Sequence, residues 1–139
     1  MHLSRESRYA IEALLTLAEH APGEFVDAKT IAREAGLPAA YLQKILRMLS
    51  VTGVVSSRRG KGFALARDPA DVTMRDVLLA VEGPDVFGTR CIFWREECSE
   101  LEPCELHFRW NELKPAMEES IARTTLADVG AAARTSTAS

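Results

Sequence analysis

Apolar residues return at steps of three and four along most of this chain. Ala10, Leu14, Leu17 and Ala18 form one such stripe, widened by Ile11 and Leu15, which predicts an amphipathic helix over 4–20. Ser4 is placed to cap it, and Pro22-Gly23 to end it. A second helix is expected from its cap Asp27 through Ile31 and Ala32 to Gly36. After the break Gly36-Leu37-Pro38 a third runs from Ala39 to Val51, with Leu42, Ile45, Leu46 and Leu49 on one face. Its opposite face carries Ala40, Gln43, Lys44 and Arg47. The period then changes: Gly53 closes the helix, and Val54 to Leu65 reads as two short strands around a basic, glycine-rich tip. Thr73-Met-Arg-Asp76 has capping-box chemistry and opens a fourth helix, with Val77, Leu78 and Val81 facing inward and Gly83-Pro84 as its stop. After Cys104 a long helix is expected to about Leu126, its stripe running Leu106, Trp110, Leu113, Met117, Ile121, Thr124. Pro115 should kink it or weaken one backbone bond.

This order of elements predicts a mainly α protein with a small β wing. The helix–turn–helix carries an amide and cations outside its apolar face, the shape of a unit whose second helix enters the major groove. A basic hairpin follows at once, so that Arg58, Arg59 and Lys61 can meet phosphates. Four regions result: a winged helix-turn-helix over 1–83, a cysteine-rich loop over 84–104, a helix over 105–129, and an Ala/Ser/Thr-rich tail over 130–139 expected to be disordered. The stripe through Trp110, Leu113, Met117 and Ile121 is too long for a small monomer to cover, which predicts a homodimer.

Charge sharpens this picture. The net charge is -3, but residues 1–67 hold ten Lys/Arg against six Asp/Glu, whereas residues 68–139 hold seven against fourteen. A basic half joined to an acidic half puts the phosphate-binding end at the N-terminus. Arg5 and Arg8 lie in the first turn of the first helix, where cations oppose the helix dipole, and hint at an anionic partner. No run approaches the about eighteen apolar residues of a membrane span, and the charged opening Met-His-Leu-Ser-Arg-Glu-Ser-Arg does not resemble a signal peptide. A cytoplasmic protein without membrane contact is expected.

All three cysteines lie in one short stretch, Cys91, Cys98 and Cys104, closed by His107 in the spacing C-x6-C-x5-C-x2-H. Three soft thiolates and an imidazole suit a metal or an iron–sulfur cluster. A disulfide would leave one cysteine over, and the acidic flanks of Cys98 and Cys104 belong to a solvated loop, not to buried thiols. Structural zinc sites present closer C-x2-C knuckles; a loop this loose can wrap a larger inorganic body. His2 and His20 stand apart as surface histidines, and no general base, nucleophile or phosphate loop suggests an enzyme.

With these parts placed, the chain resembles the IscR-type family of winged-helix transcription regulators from Met1 to about Val129. The residues that carry the likeness are Leu3 to Ala10 with Arg8-Tyr9-Ala10, Tyr41-Leu42-Gln43-Lys44-Ile45-Leu46, Gly53-Val54-Val55-Ser56-Ser57, Leu65-Ala66-Arg67, Val77 to Gly83, the three-cysteine loop, and Thr125-Leu126-Ala127-Asp128. The resemblance implies a homodimer formed through the long C-terminal helix, each head taking one half-site of double-stranded promoter DNA. It implies backbone contacts from Arg8, Lys44 and Arg47 and base reading by Gln43, with Arg5, Ala40, Tyr41, Arg58, Arg59 and Lys61 completing the interface. It also implies a [2Fe–2S] cluster on Cys91, Cys98, Cys104 and His107, with [4Fe–4S] or zinc as alternatives. In the branch sensing nitric oxide an acidic residue of the partner's first helix is the fourth ligand; here Arg8 stands at about that place, with Glu6 and Glu12 nearby. The first cysteine gap is six residues where the closest branch has five, and the wing tip Gly60-Lys61-Gly62-Phe63 is shorter and less glycine-rich. The expected function is transcription regulation through the state of the cluster, a zinc or thiol–disulfide switch on the same fold being the alternative and a small metalloenzyme the more distant one.

Overall fold

Most helices in this chain begin where a side-chain oxygen accepts a first-turn N–H that has no partner within the helix. In the computed structural model, which describes residues 3–87, 91 and 96–137, the helices are α1 (Arg5–Ala18), α2 (Ala28–Ala35), α3 (Ala39–Val51), α4 (Met74–Glu82), α5 (His107–Arg123) and α6 (Leu126–Thr137). Ser4 caps α1 by accepting from the Ser7 N–H. Asp27 caps α2 by accepting from the Thr30 N–H at 2.7 Å, and that bond holds its carboxyl below the usual carboxylate range. Thr73 and Asp76 form the expected reciprocal box at the start of α4. Gly36 ends α2 in the left-handed region (φ 69°), turning the chain into α3.

One core joins these elements. Leu42, Ile45, Leu46 and Leu49 of α3 are fully buried against Ala10, Ala13, Leu14 and Leu17 of α1 and Val77 of α4. Each such leucine contributes about 1.5–3 kcal/mol of burial. The wing is an antiparallel hairpin of β1 (Val55–Arg58) and β2 (Gly62–Leu65), registered with Val55 opposite Leu65 and Arg58 opposite Gly62. Val26 adds a third backbone rung, exchanging two 2.8 Å bonds with Phe63. Gly62 (φ 101°) lies so close to this rung that a Cβ would stand 2.2 Å from the Val26 carbonyl oxygen. The wing is therefore anchored close to its tip, and only the short turn through Gly60 and Lys61 projects.

The C-terminal third departs from expectation. The helix predicted to reach Leu126 stops at Arg123, because Thr124 is extended and its carbonyl accepts from the Met74 N–H at 2.8 Å. Leu126 N–H then donates to Val72 at 2.8 Å, and its side chain is buried in the core of the head. Thr125 and Asp128 exchange capping bonds that start a new helix. Residues 130–137, expected to be disordered, belong to this helix: Ala131–Ala133 favour it, and Gly130 lies against Leu15 of α1. Residues 138–139 of the expected tail, residues 1–2, and 88–90 with 92–95 of the expected cysteine loop lie outside the described residues. α5 continues through Pro115, which has no N–H to give the Asn111 carbonyl one turn earlier.

Candidate nucleic-acid interface and metal centre

α3 presents two faces of opposite character. Its apolar face is buried, while Ala40, Tyr41, Gln43, Lys44 and Arg47 are all exposed. Pro38 at its N-cap supplies no side-chain acceptor, so the first-turn N–H groups are left for water or phosphate. Arg59 and Lys61 are exposed at the wing tip, and Arg5 on α1. Two of the expected phosphate contacts have partners within the chain. Arg8 pairs with Glu12 at 3.0 Å, and the Arg58 guanidinium lies over the Phe25 ring at 4.8 Å. The first is a solvated i,i+4 pair, weak enough for phosphate to displace. The second fixes the direction in which Arg58 leaves the wing.

Sequence reasoning saw Arg5 and Arg8 as unexplained cations at a helix N-terminus but missed their counterweight. The Glu82 carboxylate at the end of α4 accepts from the Ser4 N–H at 2.8 Å and from the Ser4 and Ser7 hydroxyls. This carboxylate complements the α1 dipole and ties α1 to the last turn of α4. Glu82 lies far along the chain at the end of another helix, so no local pattern announces the contact. His20, expected to stand alone on the surface, is held between Glu34 (2.8 Å) and Glu24 (3.3 Å), joining the end of α1 to α2.

The four donor residues gather near the start of α5 as two pairs. Cys91 and Cys104 sulfurs are 3.7 Å apart, and Cys98 Sγ is 3.4 Å from His107 Nδ1. On a tetrahedral metal with bonds of about 2.3 Å to sulfur and about 2.0 Å to nitrogen, two sulfurs stand about 3.8 Å apart and a sulfur and a nitrogen about 3.5 Å. Each pair thus has the spacing of two ligands on one metal. Among the described residues no three His, Cys, Asp or Glu side chains surround a single point. Two pairs fit a body with two metals, which is the chemistry of a two-iron cluster. Burial pushes the Cys104 thiol up; the Leu106 N–H opposes this, and the adjoining Cys91 sulfur adds to it. A metal there would have to displace that proton. Asn111, not singled out from sequence, places its amide 3.0 Å from His107 Nε2.

The expected dimer stripe is divided. Trp110 is buried within the protomer and Ile121 packs on its own core, whereas Leu113 is 63% exposed and Met117 half-buried. Phe108, 72% exposed and absent from the expected stripe, lies round the helix from Leu113 and Met117 and is open to solvent.

Residues 3–132 match the family model described as Rrf2, iron-dependent transcriptional regulator. The chain belongs to the Rrf2 family. A helix-turn-helix-type transcriptional regulator of Aquifex aeolicus is 33% identical over 138 residues, covering 93% of this chain and 91% of the relative. Among solved structures, CymR, the global cysteine regulator of B. subtilis, aligns with a TM-score of 0.74 and 28% identity over 94% of this chain and 97% of its own. IscR of T. potens aligns with a TM-score of 0.70 and 27% identity over 96% and 88%. The mainly helical fold with a two-stranded wing is that of these regulators, and this Rrf2 chain is a transcription regulator. No helix among the described residues is long and apolar enough to cross a membrane.

Proposed function

We propose that this Rrf2 regulator acts in the cytoplasm as a homodimer that binds double-stranded promoter DNA with an affinity set by an iron–sulfur cluster. Cys91, Cys98, Cys104 and His107 hold the cluster, and a [2Fe–2S] centre suits them best. The observation that carries this reading is the pairing of the four donors, 3.7 Å and 3.4 Å, at the spacing of two ligands on each of two tetrahedral metals. A single zinc ion would draw three or four of them to one point. When bound, the cluster supplies a centre that is lost or oxidised in response to its surroundings. The chain's own residues do the rest: α3 offers Gln43 to base edges and Lys44 and Arg47 to phosphates, Arg5, Arg59 and Lys61 add charge, and Leu113 and Met117 meet a second copy. The loop joins α4, which Glu82 ties to α1, to α5, so a change at the cluster is applied between the DNA-binding head and the dimer helix.

The test is anaerobic purification with iron and sulfide assays, absorbance spectroscopy and operator binding before and after cluster removal. About two irons and two sulfides per chain, with a change in DNA affinity on removal, is the expected result. Zinc in their place, or unchanged DNA affinity, would overturn it. A second reading rests on the Cys91–Cys104 contact and on the likeness to CymR: an oxidant could join these two sulfurs, giving a thiol–disulfide switch. Mass spectrometry of the metal-free chain after mild oxidation distinguishes the two.

A further inference from the structure

Arg58 and Phe25 come from different segments, and the backbone of the wing brings them together. Arg58 stands opposite Gly62 in the hairpin register, and the backbone of Val26 and Asp27 occupies the place a Gly62 Cβ would take. No side chain of β2 therefore separates Arg58 from the segment that carries Phe25. The guanidinium crosses this gap and lies over the Phe25 ring, 4.8 Å from its centroid. Asp27, two residues further on, turns its carboxylate to the Thr30 N–H at 2.7 Å instead. Among the described residues no carboxylate pairs with Arg58, whereas Arg8 is engaged by Glu12. A stack uses the face of a guanidinium and leaves its N–H edges to donate elsewhere. Phe25 lies just before the cap of α2, so the guanidinium is set between the hairpin and the start of α2, back from Arg59 and Lys61 in the turn.

We propose that Phe25 is a positioning residue for DNA: it holds Arg58 in advance as a donor to a backbone phosphate where the wing meets the helix-turn-helix. This inference rests on the reading of the head as a binder of double-stranded DNA given above. An unrestrained arginine loses side-chain freedom when it meets a phosphate; one already laid on a ring has lost part of it beforehand. Phe25 carries no charge, so it acts on affinity without changing the number of counterions released. Arg58 acts on both. That difference separates a positioning residue from the cation it positions.

The test uses the full chain purified anaerobically, with two fluorescein-labelled duplexes: one of mixed sequence, one selected from a random pool by the wild type. Affinity is read over a series of salt concentrations. Phe25→Leu should bind both duplexes about two- to five-fold more weakly with the wild-type salt slope, and Phe25→Tyr, which keeps a ring, should bind as the wild type does. Arg58→Ala should lower the slope by about one, and adding Phe25→Leu to it should cost nothing more. Arg58→Lys, which keeps the charge but not the planar face, should mimic Phe25→Leu from the other side of the contact. Wild-type affinity in Phe25→Leu or Arg58→Lys, tighter binding in either, or an equal loss from Phe25→Leu with and without Arg58 would overturn the role of Phe25 and leave the DNA-binding reading in place. A wild type that binds neither duplex would overturn both.

Discussion

α3 and α5 are similar in length, and both carry apolar stripes, yet the fold uses them in opposite ways. The stripe of α3 is consumed within the chain: Leu42, Ile45, Leu46 and Leu49 are buried, and only the polar face looks outward. On α5 the buried side chains are His107 and Trp110, while Phe108 and Leu113 stand open. The first helix is finished by its own protomer and can present a fixed surface to DNA. The second buries His107 and Trp110 and leaves apolar surface at Leu113 uncovered, which suits the second copy proposed above. A similar three-and-four spacing of apolar residues is therefore consumed as internal core on α3 and left partly open on α5.

The largest test of this contrast is in the two leucines. Leu46→Ala should cost roughly 3 kcal/mol of unfolding free energy, as a buried leucine with no room to collapse does. Leu113→Ala should change unfolding of the dilute protomer by about 0.5 kcal/mol or less and act instead on dimer dissociation. Denaturant titrations at several protein concentrations measure both; equal losses at high dilution would erase the distinction. Next comes the rung near the wing tip. Gly62→Ala meets both a positive φ of 101° and the Val26 carbonyl, and should cost about 2 kcal/mol. Faster exchange of the Phe63 amide would show that the third rung had opened while α3 stayed protected.

Arg47→Ala sharpens the comparison from the DNA side. It should weaken binding several-fold on every sequence and reduce the slope of log affinity against log salt by about one, whereas Gln43→Ala should change sequence preference. Identical salt slopes for Arg47→Ala and the wild type would remove the phosphate role. The smallest effect concerns His20. Its hydrogen bond to Glu34 raises its pKa, partial burial opposes, and Glu24 adds to the rise. A raised folded pKa means stability that is fully present below the unfolded value of about 6.5 and fades as pH climbs through the folded one. His20→Gln should therefore cost about 0.5 kcal/mol or less near pH 5.5 and nothing near pH 8.5. A difference that grew with pH would contradict the assignment.

Local chemistry made the head legible. Ser4, Asp27, Thr73 and Gly36 each announce a helix end by a mechanism confined to one turn, and the structure has each element beginning or ending there. The two-stranded wing followed from alternation and a glycine-rich tip. What stayed hidden depends on distant partners. The break at Thr124 is fixed by a bond to Met74, the grip on α1 comes from Glu82, and the Arg58 stack needs Phe25. Spacing alone brought the four donors into one region but did not show that they meet as two pairs. Nor did it show Asn111, because an exposed asparagine in a helix reads as surface until the imidazole four residues earlier is found buried.

Leu126 has a consequence for how the molecule is made. This side chain sits in a core otherwise supplied by residues up to Val77, and its N–H bonds Val72 across the whole length of the loop and α5. During synthesis the winged head emerges first, but its last core position stays empty until α5 has also left the ribosome. Closing so long a segment carries an entropic cost that local helix contacts do not. The head is thus completed only after α5 has been made, and the nascent chain gains its full core together with the segment that holds Cys98, Cys104 and His107.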